Sequence, residues 1–92
     1  MEILDLLRLM KKKGASDLFV TAGAPPSLKV DGQILPVKTD ALSPQMSKDL
    51  AFALMNEEQQ AKFEIDRDAN FGVTPEGMGR FRVNVFHQQG EV

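Results

Sequence analysis

Residues 14–32 read GASDLFVTAGAPPSLKVDG, and this stretch decides the fold. Asp17 to Thr21 alternates, with Leu18 and Val20 on one face and Asp17, Phe19 and Thr21 on the other, which is the pattern of a half-buried strand. Gly23-Ala24-Pro25-Pro26 cannot continue that strand, because two consecutive prolines remove two ladder donors and fix φ. Alternation resumes at Ser27 to Val30, with Leu28 and Val30 inward and Lys29 outward. Asp31-Gly32 then predicts a two-residue hairpin, since a type I′ turn needs positive φ at both central positions. The return strand covers Gln33 to Val37, and Pro36 within it marks an edge strand or a strand end.

Upstream, Glu2 to Lys13 reads as a helix with Ile3, Leu6, Leu7 and Met10 on one buried face, broadened by Leu4 and Leu9. Glu2 and Asp5 lie at its positive end and Lys11, Lys12 and Lys13 at its negative end. Gly14 supplies the left-handed stop. The three lysines read as a solvated helix terminus or as a phosphate or lipid contact. Downstream, Ser43-Pro44 opens a second helix as N-cap and N1, with Met46, Leu50, Ala53 and Leu54 as its apolar face. Asn56 with Gln59 predicts a capping box for a third helix running to about Phe63 or Glu64. Residues 64–68, EIDRD, read as a charged, solvated connection rather than a metal site. Ala69, Phe71 and Val73 alternate as a fourth strand, Thr74 to Gly77 makes a turn, and Arg80 to Gln88 forms a fifth strand. Phe81, Val83 and Val85 face its core, while Arg80, Arg82, Asn84 and Phe86 share the opposite face. The reading is one α+β domain over residues 1–92, with about five strands and about three helices.

The chain has 92 residues, 42% of them hydrophobic, enough to build one core without staples. It has no cysteine, hence neither a disulfide nor a thiolate nucleophile. The acids of the N-terminus precede its apolar run and the lysines follow it, the reverse of a secretory signal. With no run long enough to span a bilayer and a net charge of −2, the simplest setting is cytoplasmic, and a generic nucleic-acid partner is not expected. The C-terminus stops at Gly90-Glu91-Val92 just past a strand, as expected of a domain cut from a longer protein.

Chemistry-bearing patterns are sparse. The single histidine, His87, falls at a strand end and reads as a surface or edge residue. There is no GxxxxGK[ST] loop and no GxGxxG fingerprint, and Gly77-Met78-Gly79 reads as a tight hairpin. No catalytic residue and no metal ligand is assigned within the chain. Arg80 and Arg82 stand apart: two guanidiniums two residues apart on one strand face suit phosphate oxygens. Two readings stay open from spacing alone. They stabilise charge on a nucleotide phosphate, as an arginine finger does, or they pair with Asp66, Asp68 or Glu76 on a solvated sheet face.

Taken together, GASDLFVTAGAPPSLKVDGQILPV, LMNEEQQAKFE and GMGRFRVNVF resemble the N-terminal domain of type IV pilus retraction ATPases of the PilT/PilU family. The similarity covers nearly the whole chain, in order. Phe19 stands where the PilT branch usually has histidine. That position, with LLRLM and LSPQM, places the chain closer to the PilU branch.

The resemblance implies a PAS-like antiparallel sheet flanked by helices. It implies a C-terminal RecA-like ATPase domain, absent from this chain, that carries the Walker motifs. It also implies a homo-hexameric ring, with ATP and Mg²⁺ bound between the two domains of the full-length protein and none for this domain alone. The motor would drive pilus retraction and twitching motility from the cytoplasmic side of the inner membrane. Its partners would be neighbouring subunits, a PilT-type partner ATPase and the inner-membrane pilus platform protein. Arginines of the N-terminal domain reach the nucleotide phosphates in this superfamily, and the matching positions are Arg80 and Arg82. Outside the resemblance, a PAS-like module that holds a small ligand or docks a protein, with no part in ATP turnover, is the alternative. It needs a cavity that Leu18, Phe71, Phe81 and Val83 are expected to fill.

Overall fold

A computed structural model describes residues 3–66, 68–74, 77 and 79–86. The element order is α1 (Ile3–Lys13), β1 (Asp17–Thr21), β2 (Ser27–Val30), β3 (Gln33–Pro36), α2 (Pro44–Ala53), α3 (Glu57–Asp66), β4 (Ala69–Val73) and β5 (Phe81–Phe86). The five strands form one sheet in the order β3-β2-β1-β5-β4. The α+β class, the five strands and the three helices all match the sequence reading.

The expected strand directions are corrected. The sheet is mixed rather than antiparallel, because β1 and β5 run parallel at its centre, Leu18 opposite Val83 and Phe19 opposite Asn84. The other three pairings are antiparallel. Local turn signals reveal hairpins, and a parallel pair needs a long crossover, here the stretch through α2 and α3.

Gly14 (φ 69°) closes α1 in a full Schellman arrangement. The Gly14 N–H donates to the Lys11 carbonyl at 3.3 Å and the Ala15 N–H to the Met10 carbonyl at 2.9 Å, satisfying two carbonyls that the helix leaves open. At the β2–β3 turn Asp31 (φ 50°) and Gly32 (φ 80°) both take the left-handed values that type I′ requires. The proline corner is tied to the strap after β3: the Gly23 N–H donates to the Leu42 carbonyl at 2.7 Å and the Leu42 N–H to the Ala24 carbonyl at 3.0 Å. Pro36 ends β3, which is the sheet edge.

The core lies on one face of the sheet. Leu6, Leu7 and Met10 of α1 and Leu50 and Ala51 of α2 pack with Leu18, Val20, Leu28, Phe81, Val83 and Val85. Each of the large side chains removed from water stabilises the fold by about 1.5–3 kcal/mol before entropy is counted. Phe71 packs half-buried against the same cluster. The four side chains expected to fill the ligand cavity of a sensory module therefore line a packed core.

The helices differ from the reading in register and length. Met46 is 45% exposed and Ala53 is exposed, while Ser47, Leu50 and Ala51 are buried. The inward stripe of α2 thus runs through Ser47, one position (~100°) round the helix from Met46. Ser43 does cap α2, accepting from the Met46 N–H at 3.1 Å. Asn56 and Gln59 form the reciprocal capping box, at 3.0 and 2.8 Å. Helix α3 extends to Asp66, so Glu64, Ile65 and Asp66 form its last turn rather than a loop. Glu64 pairs with Lys48 at 2.7 Å. The Gln60 amide donates to the Phe52 and Met55 carbonyls at 3.1 and 3.2 Å, and Phe52 meets Phe63 edge to face at 6.0 Å, which locks α2 to α3. None of these helices is long and apolar enough to cross a membrane. Glu2, Pro75, Glu76, His87 and Gln88, which figure in the sequence reading, lie outside the described residues, as does the chain end at 90–92.

Candidate functional site

Strand alternation sends Phe81, Val83 and Val85 into the core and leaves Arg82 exposed on the opposite face of the sheet. Register fixes its neighbours: Arg82 lies beside Asp17 of β1 and Gly72 of β4. Asn84, next along the same face, lies between Phe19 and Asn70. It is buried although it shares the open face, because it occupies the middle of the sheet.

Asp17 is the hub of this face. Its side chain is only 12% exposed. The Ser16 hydroxyl donates to its Oδ1 at 2.7 Å, and the Asn84 amide donates to its Oδ2 at 3.4 Å and to the Leu18 carbonyl at 3.4 Å. Arg82 Nε stands 3.5 Å from the same Oδ2, with 66% of the arginine side chain in solvent. That exposed pairing is worth at most about 1 kcal/mol. The carboxylate is held mainly by Ser16 and Asn84, and the guanidinium is tethered loosely.

Arg80 precedes β5 but keeps its two-residue phase with Arg82. Its guanidinium lies over Gly72: a Cβ added there would meet Arg80 Nε and Nη2 at 3.1 Å. A strand-interior glycine commonly marks such a close approach. The two arginines therefore line one open concavity of about 430 Å³, with Ser16, Asp17 and Gly72. At the same end of the molecule Lys11 Nζ donates to the Gly77 carbonyl at 2.9 Å, bringing the end of α1 to the segment that leads into Arg80.

The pairing with Asp66, Asp68 or Glu76 considered from sequence is replaced, for Arg82, by Asp17, while Glu76 lies outside the described residues. Asp17 and Gly72 were not singled out from sequence. Alternation placed Asp17 on the open face, but its partner followed only from the parallel β1–β5 register. Gly72 is a glycine inside an apolar-alternating strand, which is the sequence signal for close approach of another group. Among the described residues no three histidine, cysteine or acidic side chains gather as a metal site. No glycine-rich phosphate loop opens any of the three helices.

This mixed-sheet α+β fold is that of the N-terminal domain of the type IV pilus ATPases, and the chain belongs to their PilT/PilU family. It is 47% identical over 92 residues to the type IV pilus ATPase PilU of Pseudomonas aeruginosa, a match that takes in 100% of this chain and 24% of that protein. It is 38% identical over 88 residues to the type IV pilus retraction ATPase PilT of the same organism, covering 96% of this chain and 26% of that protein. The greater identity to PilU agrees with the branch that Phe19 indicates. The crystal structure of the pilus retraction motor PilT with bound ADP superposes with a TM-score of 0.76 at 38% identity, over 98% of this chain and 26% of that one. No family model matches the chain. The chain thus spans about a quarter of the length of these relatives.

Proposed function

We propose that this domain belongs to an ATP-hydrolysing hexameric motor that retracts type IV pili and drives twitching motility, and that Arg80 and Arg82 act there on nucleotide phosphate. The observation that carries the motor reading is the similarity to PilU along the whole chain. ATP binds in the RecA-like domain of the parent protein, and magnesium travels with it. The residues present here suit contact with a phosphate that is held elsewhere. Two permanently charged forks converge on the concavity, and among the described residues lining it Asp17 is the one carboxylate beside them.

The arrangement supplies a mechanism for phosphate sensing. With no phosphate nearby, Arg82 rests loosely on Asp17. When the motor closes on nucleotide, Arg82 exchanges that weak pairing for a bidentate contact to phosphate oxygens, which is the stronger interaction. Asp17 keeps its bonds from Ser16 and Asn84 after the exchange, so no buried charge is stranded. Arg80, supported over Gly72, meets the same anion from the next position along the strand. Neighbouring subunits of the ring, a PilT-type partner ATPase and the inner-membrane pilus platform are the partners of this reading. Its setting is the cytoplasmic side of the inner membrane.

The test is ATP turnover of the parent protein with Arg80→Ala, Arg82→Ala and the double substitution. Arginine fingers contribute about 10³–10⁵ in turnover where they act fully. A fall of at least roughly tenfold in kcat, with the hexamer and the circular dichroism of the protein retained, is the expected result. Wild-type turnover in all three variants removes the arginine role. A parent protein without a phosphate loop removes the motor reading itself.

A further inference from the structure

At the β3 edge of the sheet, far from the arginines, lies an open apolar groove of about 400 Å³ between α1 and the β2–β3 hairpin. Leu9, Leu28, Val30 and Leu35 line it, with Lys13 and Lys38 among the residues at its rim. Leu35 is 44% exposed although it points toward the core side of the sheet, because the edge strand has no neighbour to cover it. Among the described residues no carboxylate lines the groove. Among the described residues neither lysine makes an ion pair.

The opposite edge carries the complement. Ile65, in the last turn of α3, is 82% exposed, the most exposed large apolar side chain described. Asp66 follows it, and α3 has four carboxylates, of which Glu64 is paired with Lys48 of α2, against one cation of its own, Lys62. The C-terminal half of α3 lies beside β4, the other edge strand. An apolar knob with acidic flanks therefore sits at one end of the molecule and an apolar groove with basic flanks at the other.

We infer that the groove between α1 and the β2–β3 hairpin receives the α3 end of a second copy of this chain, with Ile65 seated against Leu9 and Leu35 and the acidic flanks of α3 facing Lys13 and Lys38. The contact is heterologous, so it propagates head to tail and closes only as a ring or runs on as a filament. One copy cannot satisfy itself. Four inter-strand steps separate the two edges, roughly 19 Å at the usual strand spacing. The contact area is that of one helix end, below the ~1,000 Å² of a stable pair. It therefore acts in an assembly that already holds copies side by side, where effective concentration makes a weak contact count. The inference stands on these two surfaces and is independent of the arginine role.

Cross-linking tests it in the parent ATPase, made free of cysteines outside this chain, which itself has none. A Leu35→Cys, Ile65→Cys double variant should give on oxidation a ladder of species beyond the dimer, since every copy carries both halves. Either single variant should give only background. The absence of a ladder from cysteines that both accept a maleimide overturns the inference. So do dimers formed equally well by one single variant, which mark a two-fold contact instead. Adding Lys13→Glu and Lys38→Glu should lower the ladder yield by roughly threefold, the scale of two exposed ion pairs. Further Asp66→Lys should restore it, and a yield indifferent to these charges refutes the pairing of groove and helix. ATP turnover is not needed for any of these readouts, so failure here is distinct from failure of the arginine proposal.

Discussion

On the helix-covered face of the sheet Leu18, Val20 and Val83 have no exposed surface. On the other face, Arg82, Gly72 and Asn70 lie in solvent around a single buried carboxylate. The same five strands build both faces, and adjacent residues such as Arg82 and Val83 belong to opposite ones. The covered face is secured by burial, which is strong and indifferent to chemical detail. The open face is secured by a few hydrogen bonds around Asp17, so its side chains are available for exchange. Stability and reactivity are separated across the thickness of one sheet.

Substitutions can break or sharpen that contrast. The largest loss is expected at the centre of the covered face: Leu18→Ala should cost about 2–5 kcal/mol in urea denaturation, as the removed methyls leave a cavity between β2 and β5. A loss below about 1 kcal/mol there would mean that the core is looser than its burial implies. Asp17→Ala should follow, at about 1–3 kcal/mol, because the Asn84 amide and Ser16 hydroxyl lose their acceptor. If Asp17→Ala proves as mild as an ordinary surface change, Asp17 is not the hub.

Gly72→Ala sharpens the comparison differently. It should change stability by less than about 1 kcal/mol yet displace the Arg80 guanidinium, whose Nε lies 3.1 Å from the new methyl. Lower ATP turnover in a stably folded parent would show that the placement of Arg80 counts, whereas unchanged turnover with Arg80 shifted would show that it does not. Arg82→Ala should be the mildest for stability, within about 1 kcal/mol on thermal melting, since its ion pair is largely solvated.

The covered face was legible in the sequence almost residue by residue. Alternation in Asp17–Thr21 and Phe81–Phe86 shows which side chains go inward, and Gly14, Asp31-Gly32, Ser43 and the Asn56–Gln59 box mark the ends of elements, because those signals are local. Sequence spacing also placed Arg80 and Arg82 together. It did not reveal Asp17 as their neighbour, because that contact depends on which strand lies beside β5, a decision made by the packing of the whole chain. The stripe of α2 was misplaced by one position for a related reason. Met46 is the more apolar residue, yet Ser47 is the one buried with Leu50 and Ala51, because the face a helix turns inward is set by how it docks on its neighbours, here β1, and not by its own residues alone.

The parallel pairing of β1 with β5 bears on how the domain is made. Asn84 and Asp17 touch across 67 positions of sequence, so the centre of the sheet closes only when the last strand arrives. During synthesis, α1 and the β1–β3 meander leave the ribosome first, with Leu18, Val20 and Leu28 still lacking the strand that seals them. Such late, long-range closure is slow compared with hairpin formation. The nascent domain therefore stays unlocked until residues 81–86 have emerged, and its stability arrives late and all at once rather than hairpin by hairpin.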